Sequence, residues 1–172
     1  TAEFDGKNIS VEEISASADF ADMDNIEAKL SAVTLGSLVT ASGTVGSDKQ
    51  IINAVTDVAD LSKILPYLPA DSIPEGVEIY GGFAKNLALN IYRRGDVLSY
   101  SGYTNFSDGA VRVEKTDIEN IAGNLTFTDA QYNIDASAVA NGQPANIIGT
   151  ILTNTDEMYF DLIAKSDGFT PS

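Results

Sequence analysis

The alternation of apolar and polar side chains over residues 118–151 most constrains how this chain can fold. Leu125 and Phe127 fall on one side of an extended backbone, and the same alternation continues over residues 132–138 and 145–151. Successive side chains of a β-strand point to opposite faces, so a period of two indicates strands rather than helices. The stretch therefore predicts three antiparallel strands that share one apolar face.

The same design occurs earlier in the chain, which indicates an internal repeat. Six positions recur with an offset of 106 residues: Ser31, Ala32, Val33, Gly36, Gly43 and Thr44 match Ser137, Ala138, Val139, Gly142, Gly149 and Thr150. Phe20 matches Phe127 at an offset of 107. We therefore predict one segment over residues 1–172, with repeat units over about 9–58 and 113–170 joined by 59–112. A β unit that cannot bury its apolar face alone predicts stacking into an extended array.

Other turn and helix signals divide the rest of the chain. We predict strands near 9–20, 26–35, 38–46, 51–58, 85–93, 96–106, 123–128, 131–140, 145–153 and 157–165. The only predicted helix lies near residues 60–65, where apolar residues recur every three or four positions and Asp60 can cap the first turn. Asn141-Gly142 and Asp108-Gly109 are predicted as turns, because Asn, Asp and Gly tolerate positive φ.

The composition excludes several classes of function. The net charge is −15 and the isoelectric point is about 4.1, so the surface repels phosphate backbones and anionic membranes, and we expect no nucleic-acid partner. The sequence has no His and no Cys, which removes the usual catalytic triads and zinc ligands. Residues 22–25 include two aspartates but lack the glycine and distal glutamate of a calcium loop. We therefore expect no enzyme activity, no metal site and no cofactor.

Two stretches of the chain carry a set of recognisable motifs: VEKTDIENIAGNLTFTDAQYNIDASAVANGQPANIIGTI and MYFDLIAKSDGF. The motif positions are Gly123, Leu125 and Phe127; Ala138, Gly142, Pro144 and Ala145; Gly149 and Ile151; and Phe160, Asp161 and Leu162. In these motifs the chain resembles the TamB and AsmA-like family of the diderm bacterial envelope, and residues 60–69 are similar to the connector between modules of that family. The family's N-terminal membrane anchor and C-terminal signature domain have no counterpart, so we expect an internal piece of a longer protein.

The resemblance implies a β-taco, an elongated antiparallel sheet curled into a U with an apolar interior. It implies a protein anchored in the cell envelope that spans the periplasm and carries phospholipid between the inner and outer membranes. A related role in outer-membrane biogenesis is implied as well, together with an outer-membrane barrel protein as partner through other parts of the full-length chain. Burying acyl chains in an apolar groove is favourable by ~0.8 kcal/mol per methylene.

Two alternatives remain open at this point. The first is a structural or adhesin-type β-repeat whose apolar face is closed and dry. The second is a glycan-acting enzyme, because the chain has 25 acidic residues that could supply a carboxylate pair. The open or closed state of the apolar face separates the first alternative from a lipid groove.

The predicted groove residues follow from the period of two and from the apolar side chains it places on one face. They are Phe20, Leu30, Val39, Leu87, Leu89, Ile91, Leu98, Tyr100, Leu125, Phe127, Ile134, Ile147, Ile151 and Leu162. Small residues that lie between these large side chains, such as Ala136, Ala138 and Gly149, would leave the groove wide enough for an acyl chain.

Overall fold

The protein is all-β with one short helix. A computed structural model describes residues 2–4, 7–22, 25–67, 73, 75–153 and 159–166. The strands are β1 (Ala2–Phe4), β2 (Lys7–Ile9), β3 (Val11–Asp19), β4 (Ile26–Thr34), β5 (Ser37–Val45), β6 (Lys49–Asp60), β7 (Val77–Arg94), β8 (Val97–Val113), β9 (Thr116–Thr128), β10 (Gln131–Ala140), β11 (Gln143–Leu152) and β12 (Tyr159–Lys165). The helix α1 spans Leu61–Ile64, and a 3₁₀ turn, Leu65–Tyr67, follows it.

Ten of the strands form one antiparallel sheet. Strands β3 to β12 lie in sequence order, so β4 to β11 each pair with the strand before and the strand after, while β3 and β12 form the two edges. The sheet does not close into a barrel. β1 and β2 form a separate two-stranded hairpin. The predicted fold class, a curled all-β antiparallel sheet with one short helix, is confirmed.

The pairing register separates an apolar face from a polar one. Directly paired residues of antiparallel strands point to the same face. One row of paired residues crosses β3 to β11 on what we call the inner face: Ala16, Leu30, Ala41, Ala54, Leu89, Gly102, Phe127, Tyr132 and Ile151. The adjacent row, on the outer face, is Ser15, Ser31, Thr40, Val55, Ala88, Tyr103, Thr126, Asn133 and Thr150. The inner row carries no charge, and its polar atoms are one Tyr hydroxyl and the backbone.

Glycines on the inner face mark where the sheet curls. A Cβ added at Gly43, Gly123 or Gly149 would lie less than 3.0 Å from the backbone of the next strand. The atoms it would meet include the carbonyl oxygens of Ile51, Asp135 and Asp161, respectively. Strand glycines permit such close approach of a neighbouring backbone, and glycine kinks at defined positions bend a sheet. The neighbouring strand therefore folds over the inner face at these points, which makes that face concave.

Bulges interrupt the long central strands without ending them. Asn86 in β7, Asp108 in β8 and Asn120 in β9 all have positive φ, and the pairing register shifts beside each of them. The predicted turn at Asp108-Gly109 is therefore wrong: β8 continues through this point to Val113. An Asp with positive φ followed by Gly suits a bulge as well as a turn, because both need a left-handed residue.

The short helix begins where it was predicted. Asp60 is its N-cap: its carboxylate accepts hydrogen bonds from the Ser62 backbone N–H at 3.0 Å and from the Ser62 hydroxyl at 2.6 Å. The hydrogen bond from the Ser62 side chain lowers the pKa of Asp60. The helix lies against β7, where a Cβ added at Gly81 would be 3.8 Å from the Ser62 Cβ. Because β6 pairs with β7 only as far as Phe83, the helix covers an edge of β7 that β6 leaves unpaired.

The described residues contain no large side chain that is fully buried. The buried ones are small and lie on the inner face: Ala32, Thr56, Ala59, Ala84, Thr104, Ala136 and Ala138. The chain exposes 11,705 Å², whereas a compact monomer of 18.2 kDa exposes about 8,100 Å². The protein is a single curved layer, and nothing within the described chain covers its apolar face from end to end.

The two halves of the predicted repeat agree in one hairpin and differ upstream of it. Gly43 and Gly149 occupy equivalent places, each in mid-strand on the inner face and each close to the backbone of the following strand. The prediction that Phe20 and Phe127 are also equivalent is wrong. Phe20 follows the last residue of β3, whereas Phe127 lies within β9 and pairs on both sides. β3 ends at Asp19 and β4 begins at Ile26, whereas only Asp129 and Ala130 separate β9 from β10. The strand of the first unit therefore ends before the position that is equivalent to Phe127.

Candidate functional site: an open apolar groove

The candidate site is the concave inner face, and the register brings nearly all the predicted groove residues to it. Those on one face are Leu30, Val39, Leu87, Leu89, Ile91, Leu98, Tyr100, Leu125, Phe127, Ile134, Ile147, Ile151 and Leu162. Phe20 is the exception, because it lies beyond the end of β3 and is 60% exposed. Their role in holding a ligand stays a prediction.

One apolar part of this face lies over β7 to β10. It is a concavity of about 470 Å³, which we call the aromatic trough. Its lining is Leu87, Leu89, Ile91, Leu98, Tyr100, Leu125, Phe127 and Tyr132. Tyr132 was not among the predicted groove residues, although its place in the alternation before Ile134 would have identified it. The only polar side-chain atoms in this lining are the two Tyr hydroxyls.

Three aromatic rings meet at one side of the aromatic trough. The ring centroids of Tyr100 and Phe127 are 6.5 Å apart and tilted by 49°, and those of Phe127 and Tyr132 are 6.2 Å apart at 28°. Both separations lie in the range of favourable aromatic contacts. Phe127 pairs with Gly102, where an added Cβ would collide with the Phe127 ring, so the glycine makes room for it.

The two Tyr side chains also interact with each other. A hydrogen bond between their side chains is the main reason that the pKa of Tyr132 is raised, with partial burial as the second reason.

A second concavity lies over β3 to β6 and is lined by smaller residues. It measures about 490 Å³, and we call it the alanine trough. Its lining is Ala16, Ser17, Ala18, Ala28, Lys29, Leu30, Ala41, Ser42, Gly43, Val45 and Ile52. Only Leu30 of this set was a predicted groove residue. The recurrence of Ala and Gly at alternate positions would have found Ala16, Ala18, Ala28, Ala41 and Gly43. Ser17, Lys29 and Ser42 alternate with them and pair with one another on the other face of the sheet.

The inner face offers apolar contacts and little other chemistry. The one ion pair found among the described residues joins Arg112 to Asp117, with Nε and Oδ1 2.7 Å apart near the end of β8 and the start of β9. The described residues include no group of three or more acidic side chains placed to hold a metal ion. None of the described helices is long and apolar enough to cross a membrane. The lining of the aromatic trough offers mainly aliphatic and aromatic side chains for contact.

Comparison with protein-family models, with curated proteins and with solved structures finds no match to this chain. The resemblance to the TamB and AsmA-like family rests on the sequence motifs alone.

Proposed function

We propose that this chain is a segment of a bridge-like lipid-transfer protein and that its inner face carries phospholipid acyl chains. The full-length protein would lie in the periplasm of a diderm bacterium, conduct phospholipid between the inner and outer membranes, and serve outer-membrane biogenesis with a barrel protein as partner. The chain itself performs no catalysis in this proposal.

The observation that carries the proposal is an apolar face that is both concave and open. Leu30, Leu98 and Leu162 lie on this face and remain 47%, 58% and 44% exposed. Large exposed apolar surfaces on soluble proteins mark places where another apolar surface or ligand binds. Each buried methylene of an acyl chain would contribute ~0.8 kcal/mol, while the charge of −15 keeps the protein hydrated.

A structural β-repeat is the second candidate, and one observation favours it. The equivalent placement of Gly43 and Gly149 fits an array in which neighbouring units cover each other's apolar faces. In that case the groove would be filled by protein and dry. Extraction of the purified protein with organic solvent, followed by mass spectrometry, separates the candidates: phospholipid in stoichiometric amount supports carriage, and its absence supports the structural repeat.

Two adjacent residues give a matched test of carriage. Ile147 faces the groove through its pairing with Ala136, whereas Ile148 points to the outer face and is 56% exposed. We expect Ile147→Asp in the full-length protein to reduce lipid crosslinking at least tenfold, because an unpaired carboxylate would be buried against acyl chains. Ile148→Asp should leave crosslinking within twofold of the wild type.

Accumulation and circular dichroism of both variants show whether they fold. A folded Ile147→Asp protein with unchanged crosslinking contradicts the proposal. If Ile147→Asp unfolds the protein and Ile148→Asp does not, the inner face is a closed core and the structural repeat is favoured.

A further inference from the structure

One end of the aromatic trough meets a small polar hollow. The hollow measures about 140 Å³ and is lined by Ser47, Asp48, Lys49, Gln50, Arg93 and Gly95. Arg93 pairs with Leu98, which lines the aromatic trough, and with Gln50 on the other side. Apolar and polar cavities therefore adjoin along one line of paired residues.

The hollow is positive in a strongly acidic chain. Lys49, Arg93 and the neighbouring Arg94 supply three of the ten basic residues of the sequence. Asp48 lines the hollow, and Asp96 lies in the adjoining turn. These three basic and two acidic residues together have a formal charge of about +1, against −15 for the whole chain. Lys49 is held over the Tyr92 ring at 5.7 Å, and the Arg93 Nε donates to the Gly95 carbonyl at 3.1 Å.

Tyr100 lies on the same face of the sheet as Arg93. It pairs with Ile91, the next inner-face position after Arg93 on β7. Diagonal neighbours of an antiparallel pair lie ~7–8 Å apart, within reach of long side chains. Arg93 and Tyr100 are such neighbours, and both side chains carry hydrogen-bond donors for one acceptor group.

We propose that the aromatic trough and the polar hollow form one site for an anionic amphiphile, with the acyl chain in the trough and a phosphate or carboxylate at Arg93 and Tyr100. The guanidinium fork suits both anions, because it presents paired donors to two oxygens. This deepens the proposed function, on which it rests: the ligand is oriented, with its charged end at the rim formed by the β5–β6 and β7–β8 turns.

The test compares ligands that share one acyl chain and differ in charge. Oleate and oleyl alcohol displace a fluorescent acyl probe from the purified protein, and their dissociation constants are measured at neutral pH and low salt. We expect oleate to bind about tenfold more tightly than oleyl alcohol. The double variant Arg93→Gln, Arg94→Gln should lose this preference while its affinity for oleyl alcohol changes less than twofold.

Two further variants sharpen the comparison. Lys115→Gln removes a cation from the β8–β9 turn at the opposite rim, so it should leave the preference unchanged. Tyr100→Phe should weaken oleate about threefold or more and leave circular dichroism unchanged, because only a hydroxyl is lost.

Each outcome has a distinct meaning. If the probe does not bind the wild type, the proposed function fails together with this inference. If it binds and oleate shows no preference, or if the Arg93 and Arg94 variant keeps it, only the oriented site is overturned. A third arm uses inorganic phosphate: if phosphate binds the hollow without displacing the acyl probe, the hollow is a free-anion site and the inference is wrong.

Discussion

At the scale of single residues, the smallest side chains shape the inner face. Gly43, Gly123 and Gly149 allow the next strand to approach, and Ala136 and Ala138 form part of the buried floor. A larger side chain at these places would be apolar and would still be harmful, because the space it needs is occupied by backbone. Individual small residues therefore set the width of the groove, in addition to the hydrophobicity of its lining.

Gly123→Ala tests this directly. Its Cβ would collide with the Asp135 carbonyl, so we expect the free energy of unfolding to fall by about 1–3 kcal/mol, as for other overpacked sites. Gly142→Ala is the matched control: nothing lies within 4 Å of its added Cβ, but its φ is +78°, which costs an L-residue about 1–2 kcal/mol.

Urea unfolding followed by circular dichroism measures both variants. The diagnostic difference is in the groove: Gly123→Ala should also change binding of an acyl probe, whereas Gly142→Ala, at a turn, should not. Equal binding by the two variants would mean that the glycine does not set the curvature of the sheet.

At the scale of elements, the sequence predicted the hairpins well and the long strands less well. β4, β5, β10 and β11 lie close to their predicted bounds, because their alternation is uninterrupted and Asn141-Gly142 marks a turn with positive φ at both residues. In contrast, the strand predicted near 85–93 covers only the second half of β7, which begins at Val77. The interruption falls at Gly81 and Gly82, which both have positive φ and beside which the pairing with β8 shifts register, so a period of two cannot follow the strand through them.

Prediction of the candidate site was limited in a different way. Inner-face residues in regular stretches, such as Leu125 and Ile134, were identified by alternation alone. Tyr132 belongs to the same alternation but was not included among the groove residues, and the polar hollow was missed because its residues come from two separate turns. Which turns lie side by side depends on the pairing of β6 with β7, which residue spacing does not specify.

An ion pair holds β8 to β9 beside their connecting turn. Arg112 pairs with Asp117 across the two strands, and its guanidinium also lies 5.6 Å from the Tyr80 ring centroid. The hydrogen bond from Arg112 lowers the pKa of Asp117 below 3.8. Its stabilising contribution is therefore fully present above pH 3.8 and is lost as the pH falls through the folded-state pKa.

Arg112→Gln should return the pKa of Asp117 toward 3.8. Titration of the Asp117 carboxyl carbon by NMR measures this shift, and the pH dependence of stability should flatten at the acid end. Lys165→Gln, on β12, provides a control that should leave the Asp117 titration unchanged. An Asp117 pKa that is the same in the wild type and in Arg112→Gln would contradict the role of the ion pair.

At the scale of the whole molecule, the protein exposes more surface to solvent than a compact globular protein of the same mass does. It exposes 11,705 Å², about 3,600 Å² more than a compact chain of its mass. Folding therefore removes about a fifth less area from water than it does in a compact domain of the same mass.

This area predicts a shallow response to denaturant. The slope m of unfolding free energy against urea scales with the area exposed on unfolding. We expect m to be about a fifth below the value for compact domains of 172 residues, with the protein alone in solution. Saturation with oleate should raise the transition midpoint, because a ligand bound only to the folded state stabilises it. A slope typical of a compact domain would show that the inner face is already covered in solution.

The strictly sequential order of β3 to β12 has a consequence for how the protein is made. Every strand pairs with its neighbour along the chain, so contact order is low and no early segment must wait for a distant one. During synthesis from the N-terminus, each strand can pair with the strand made just before it, because that strand already forms the edge of the growing sheet. The sheet can therefore be built strand by strand in the order in which the chain is synthesised, and the curl of the inner face can develop with each strand that is added.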